Sequence, residues 1–134
     1  MIVDASVATH WFASTAFSAS ARKILGRDDL AAPALIQIEL VSSLLKYLRV
    51  KVLTVEEVKS ASSELRRVIS HFAEGERLIE AATDISVAHG HKIYDCLYLA
   101  LALQTNNALA TADRRMASIA TQLDIDTVFV EAEA

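Results

Sequence analysis

The sequence predicts an α/β fold, a parallel sheet covered on both faces by helices. Three observations predict it. Short β-rich runs ("MIVD", "DLAAP", "ALAT", "DTVFV") alternate with longer stretches of helical periodicity. The 134 residues are 53% apolar with only three glycines and one proline, which leaves little chain for long loops. Finally, "KIYDCLYLALAL" is apolar at nearly every position from Tyr94 to Leu103, as a helix packed inside a layered core must be. One ionisable group, Asp95, sits near the front of that helix, where an unpaired charge is costly.

The elements follow in order. "MIVD" is a first strand with Asp4 at its carboxyl end, and residues 5–13 continue as helix. In "AFSASARKILGR", Phe17, Ala21, Ile24 and Leu25 recur at helical spacing, and Gly26 suits the stop. After "DLAAP", Pro33 fits the first turn of a helix through "ALIQIELVSSLLKYLR". Thr54 and Glu57 form a capping box before "VEEVKSASSELRRVISHFA". "ERLIEA" reads as a strand, followed by a short helix through Val87 that stops at Gly90. Helix from about Tyr94 to Gln104, the strand "ALAT", the helix "DRRMASIATQL" and the strand "DTVFV" complete residues 1–134, with no internal repeat or boundary, so one domain is expected.

The formal charge of −4 argues against a protein that coats nucleic acid through bulk charge, yet leaves room for an enzyme that grips a strand locally. A single cysteine, Cys96, excludes a disulfide framework and a cysteine zinc site. No apolar run reaches the length of a membrane span, and the opening carries no basic segment of the kind a signal peptide needs. The expectation is a cytoplasmic protein without membrane contact.

Four acids stand out. In open α/β sheets the functional crevice lies beyond the carboxyl ends of the strands, where strand order reverses. Asp4 ends the first strand, Asp113 follows "ALAT", and Asp95 opens the helix that feeds that strand. Glu39 lies within a helix among Leu35, Ile36, Ile38 and Leu40. Two like charges about 5 Å apart repel by roughly 3 kcal/mol at an effective dielectric of about 20. Four acids brought together must therefore take up protons or hold a divalent cation, and an all-oxygen donor set favours Mg²⁺ or Mn²⁺. Each acid also has an ordinary role open to it. Asp4 and Asp113 are placed to cap the helices that follow them, and Asp95 is an early-helix acid favoured by the dipole. Glu39, read as mid-helix, has the weakest such excuse.

"MIVDAS", "IELVSSLL", "YDCLYLALAL" and "LATADRRM" together resemble the motifs of PIN-domain ribonucleases, especially the VapC-type toxins of bacterial toxin–antitoxin pairs. The resemblance runs through the whole chain in order. It implies a three-layer α/β/α sandwich around a five-stranded parallel sheet. It also implies an Mg²⁺- or Mn²⁺-dependent endoribonuclease in which metal-activated water attacks an RNA phosphodiester, leaving a 3′-hydroxyl and a 5′-phosphate. Asp4, Glu39, Asp95 and Asp113 match the four acidic positions. Ser6 matches a hydroxyl position beside the first acid, and Thr111 the hydroxyl two residues before the last. The expected partners are an RNA substrate, a cognate antitoxin and a second copy in a homodimer. Ser42 stands where many relatives carry Asn, and Arg114, Arg115 and Met116 follow Asp113 where some carry a further acid, so a one-metal or weakly two-metal site is implied.

Lys46, seven residues after Glu39, and Arg114 and Arg115 beside Asp113 are candidates to steer RNA phosphates, with solvated surface charge the plain alternative. The His89-Gly90-His91 stretch fits a helix stop and loop better than a metal site. Trp11 and Phe12 fit the core or a partner contact, and Cys96 fits the core. Two competing functions stay open: a housekeeping RNA-processing nuclease with the same site, and a non-catalytic module on the same fold. Phosphatase and receiver chemistries on similar folds lack residues they require: Ser6 stands where a phosphatase needs a second Asp, and "VDAS" and "DTVFV" supply neither the adjacent acids nor the Lys of a receiver.

Overall fold

A computed structural model describes residues 1–133. Five short strands, β1 (Ile2–Val3), β2 (Ala31–Pro33), β3 (His71–Ala73), β4 (Leu109–Thr111) and β5 (Thr127–Phe129), form one sheet. All four pairings are parallel, in the order β3-β2-β1-β4-β5. The helices are α1 (Ala5–Phe12), α2 (Ser18–Arg22), α3 (Ile36–Arg49), α4 (Val55–Val68), α5 (Ile79–His89), α6 (Ile93–Thr105) and α7 (Arg114–Gln122). They cover both faces of the sheet in a three-layer α/β/α arrangement, as expected. No helix among the described residues is long and apolar enough to cross a membrane.

The core is built from the periodicities visible in the chain. Ile2, Val3, Leu109 and Ala110 are fully buried in the two central strands, and Ile36, Leu40 and Leu44 supply one buried stripe of α3. Helix α6 is buried from Asp95 to Ala102, so its nearly uninterrupted apolar run reflects packing on more than one side. Trp11 and Cys96 belong to this core, and the Trp11 indole donates to the Ala21 carbonyl at 2.8 Å. Gly90 takes the left-handed conformation (φ 60°) that closes α5. The Thr54–Glu57 capping box forms at α4 with both bonds in place.

Four local expectations are corrected. "ERLIEA" is not a strand: its residues fall in a 3₁₀ turn (Gly75–Arg77) and the start of α5. The third strand is His71–Ala73, carved from the end of the stretch read as helix, because α4 stops at Val68 and the next residues pair with β2 over three positions. Pro33 does not begin α3. It ends β2, beyond the single Ile2–Ala31 pair that ties β2 to β1, where a missing N–H costs the ladder little. The helix expected through "AFSASARKILGR" covers only Ser18–Arg22 before breaking into turns.

This topology sets the site. From β1 the chain moves out to β2 and β3, then returns to the other side of β1 for β4 and β5. Strand order therefore reverses between β1 and β4, and the crevice beyond their carboxyl ends is the expected binding place.

Candidate active site

Asp4 follows β1 directly, and its backbone N–H bonds across to Ala110 of β4 at 3.0 Å. Its carboxylate is thus planted at the reversal point, 5% exposed. Two hydroxyls converge on one oxygen: Ser6 Oγ donates to Oδ2 at 2.6 Å and Thr111 Oγ1 at 2.8 Å. Ser6 Oγ in turn accepts from the Ala112 N–H at 3.0 Å, and Thr111 Oγ1 from the Asp113 N–H at 3.1 Å. Asp4 Oδ1 has no hydrogen-bond partner among the described residues. No fully buried side-chain polar atom among them lacks a partner, so this oxygen opens toward the pocket. Burial, reinforced by the nearby charges of Asp95 and Glu39, pushes the Asp4 carboxyl up to about 6, although the two hydroxyls pull the other way.

Asp4, Glu39, Asp95 and Asp113 all line one open pocket of about 220 Å³, together with Ser6, Ser42 and Lys92. Glu39 lies in the first turn of α3, so the mid-helix placement read from sequence is corrected and the helix dipole favours its charge. The phenol of the fully buried Tyr98 donates to Glu39 Oε1 at 2.6 Å. Burial raises the Glu39 carboxyl, Asp95 adds to the rise, and the Tyr98 bond and the Lys92 charge oppose it. The Tyr98 phenol is driven strongly upward by its own burial and by Glu39, so it stays a donor. Asp113 is the N-cap of α7, with Oδ1 accepting from the N–H groups of Arg115 at 2.9 Å and Met116 at 3.2 Å. Capping and pocket lining coexist here, because only one carboxylate oxygen is used by the helix. Asp95 begins α6 and is 7% exposed; His91 Nε2 lies 2.7 Å and Lys92 Nζ 3.8 Å from its Oδ2.

The other residues singled out from sequence lie elsewhere. Lys46 does not line the pocket. Arg114 sits 5.3 Å above the Phe129 ring. Arg115 turns toward His91 and donates to the carbonyls of His89 and Gly90. Sequence reasoning passed over Lys92, Tyr98 and the role of His91. The i,i+4 spacing of His91 and the i,i+3 spacing of Lys92 to Asp95 were the local signals available, and Tyr98 had none toward Glu39.

A family model for the PIN domain matches residues 1–122. The chain belongs to the PIN-domain family. Among curated proteins, none matches the chain significantly. PIN domains are generally metal-dependent nucleases and typically use divalent metals such as Mg²⁺. In this PIN domain no three His, Cys, Asp or Glu side chains among the described residues are drawn together closely enough to hold a cation as they stand. The chemistry of the donor set nonetheless fits a hard divalent cation. Four carboxylates share one open pocket, no thiolate or imidazole nitrogen lines it, and Asp4 has an oxygen to spare. Burial raises Asp4 most, and the smaller part of the rise that comes from Asp95 and Glu39 is what a bound cation would relieve.

Proposed function

We propose that the chain is an Mg²⁺- or Mn²⁺-dependent endoribonuclease that acts as the toxin of a toxin–antitoxin pair. The observation that carries the nuclease reading is the convergence of four carboxylates at the strand-order reversal, where Asp4 alone is already pushed up to about 6. Asp4, Asp95, Asp113 and Glu39 would hold the cation, which when bound supplies Lewis-acid polarisation of the phosphate and a more acidic water. The chain's own residues do the rest. Ser6 and Thr111 hold Asp4 so that its free oxygen faces the pocket. Tyr98 holds Glu39 from beneath, and Lys92 offers a positive charge at the rim for an RNA phosphate.

The toxin role is supported by the surface next to the pocket. Ile38 is 70% exposed, and with Val41 and Leu45 it lines a groove between α3 and α4 that shares Ser42 with the acidic pocket. A partner lying across both would cover apolar surface and block the acids together. Such a partner is the cognate antitoxin, and a homodimer would bury part of the same face.

The test is cleavage of total cellular RNA by purified protein with Mg²⁺, with Mn²⁺ and with EDTA, beside Asp95→Asn. Discrete fragments that need metal and vanish in the variant are expected. Equal fragments from both proteins would end the assignment, and no cleavage by well-folded protein would favour a binding module. Growth arrest on expressing the wild type but not Asp95→Asn would mark a toxin; cleavage without arrest would favour a housekeeping nuclease.

A further inference from the structure

The His89-Gly90-His91 stretch does more than end a helix. His91 has a nearly buried ring, 8% exposed at the side chain, wedged between two partners. On one side Arg115 Nε–H donates to His91 Nδ1 at 3.1 Å. An arginine nitrogen can only donate, so Nδ1 must be the bare nitrogen and the ring proton sits on Nε2. On the other side that Nε2–H donates to Asp95 Oδ2 at 2.7 Å. A second proton on Nδ1 would set donor against donor. The ring therefore presents its Nε2–H to the carboxylate while Arg115 fixes the opposite edge.

Arg115 is itself anchored. Its Nη2 donates to the carbonyls of His89 at 3.0 Å and Gly90 at 3.3 Å, at the end of α5 where backbone acceptors have no helical partner. Ser86 Oγ donates to the His91 carbonyl and holds the same turn from the other side. The backbone N–H of Arg115 meanwhile donates to Asp113 Oδ1. One residue of α7 thus reaches two pocket acids: Asp113 through its main chain and Asp95 through the imidazole.

We propose that His91, set by Arg115, is a positioning residue that aims the free oxygen of Asp95 into the pocket for the cation. This rests on the reading of Asp95 as a metal ligand. Outer partners of ligating carboxylates commonly contribute tenfold to a hundredfold in metal affinity.

The experiment is a Mn²⁺ titration of the full chain, followed by the electron paramagnetic resonance of the free ion, for wild type, Asp95→Asn, His91→Leu, His91→Gln and Arg115→Met. Leucine keeps bulk and removes both bonds, whereas glutamine retains a donor and an acceptor. His91→Leu is expected to weaken Mn²⁺ binding by about tenfold or more, Arg115→Met by less, and His91→Gln by no more than about threefold. RNA cleavage by His91→Leu should recover toward the wild-type rate at saturating Mn²⁺, a split that general loss of structure would not produce. Wild-type affinity in His91→Leu with weakened binding in Asp95→Asn would overturn the positioning role alone. Wild-type affinity in Asp95→Asn would overturn the ligand reading and the positioning role with it. Should His91→Leu fail to fold, long-range ¹H–¹⁵N spectra of the wild type decide the geometry. A proton on Nε2 with a bare Nδ1 is expected at neutral pH, and the opposite tautomer would overturn the inference.

Discussion

Asp4 and Asp95 line one pocket and are almost equally shielded from solvent, 5% and 7% exposed, yet the molecule holds them in contrasting ways. Asp4 stands on the floor, where the ends of β1 and β4 bring two hydroxyls to one oxygen. Asp95 stands at the rim, where the turn between α5 and α6 brings an imidazole and an ammonium. Hydroxyls satisfy a carboxylate's lone pairs but carry no charge against the loss of solvent, and the floor acid rises to about 6. Lys92 carries a positive charge that works against the rise at Glu39 across the pocket. Equal burial is thus reached with different partners, hydroxyls at Asp4 and an imidazole with an ammonium at Asp95.

The largest effects belong to the carboxylates. Asp4→Asn and Asp95→Asn should each lower RNA cleavage on the order of a thousandfold or more, if floor and rim acids serve one cation. A large loss in only one variant, measured as fragment yield per time, would separate the two regions functionally.

The next effect is on stability and belongs to the floor. The Asp4 carboxyl is near 3.8 when unfolded and about 6 when folded, so the folded chain binds the proton more tightly. Below the lower value both states are protonated and nothing is lost. As pH rises through the folded value, metal-free stability should fall, by about 3 kcal/mol in total, and then level off. Urea unfolding at pH 4 to 8 checks this, and Asp4→Asn should flatten that part of the curve. Added Mg²⁺ should stabilise the wild type more above pH 6 than below it, since the ionised acids bind it.

Smaller changes sharpen the contrast within the floor. Thr111→Val removes a donor from Asp4 and an acceptor from the Asp113 N–H, and should cost about 1–3 kcal/mol in urea unfolding while driving Asp4 further up. Tyr98→Phe removes only the bond to Glu39 and should cost about 1 kcal/mol, read as a modest fall in Tm.

Much of this was legible in the chain. The alternation of elements, the capping box at Thr54, the stop at Gly90 and the helix of 93–105 follow from local periodicity and turn chemistry. The third strand was not legible, because three residues carry too little pattern to outweigh the helix beside them. His71–Ala73 is a strand because β2 offers an edge to pair with, and "ERLIEA", with Leu78 buried and Ile79 exposed, mimics strand alternation while opening a helix. Pro33 was misplaced for the same reason, since its tolerance depends on where the ladder to β1 ends.

The four acids were individually visible because charged residues at strand ends and among apolar neighbours conflict with simple burial, and that conflict is local. What holds them was decided by tertiary structure. Thr111 reaches Asp4 across 107 positions and Tyr98 reaches Glu39 across 59, contacts that arise only when the sheet reverses its order and α6 packs beneath it. Arg115, a candidate to steer RNA phosphates or plain surface charge by sequence, reaches across 24 positions to His91. Local pattern determined most of the helices, four of the five strands and which acids stand out, because propensity and periodicity act over a few residues. The partners of those acids, and so their charge and aim, were left to the fold, because hydrogen bonds and desolvation depend on neighbours that the chain order does not reveal.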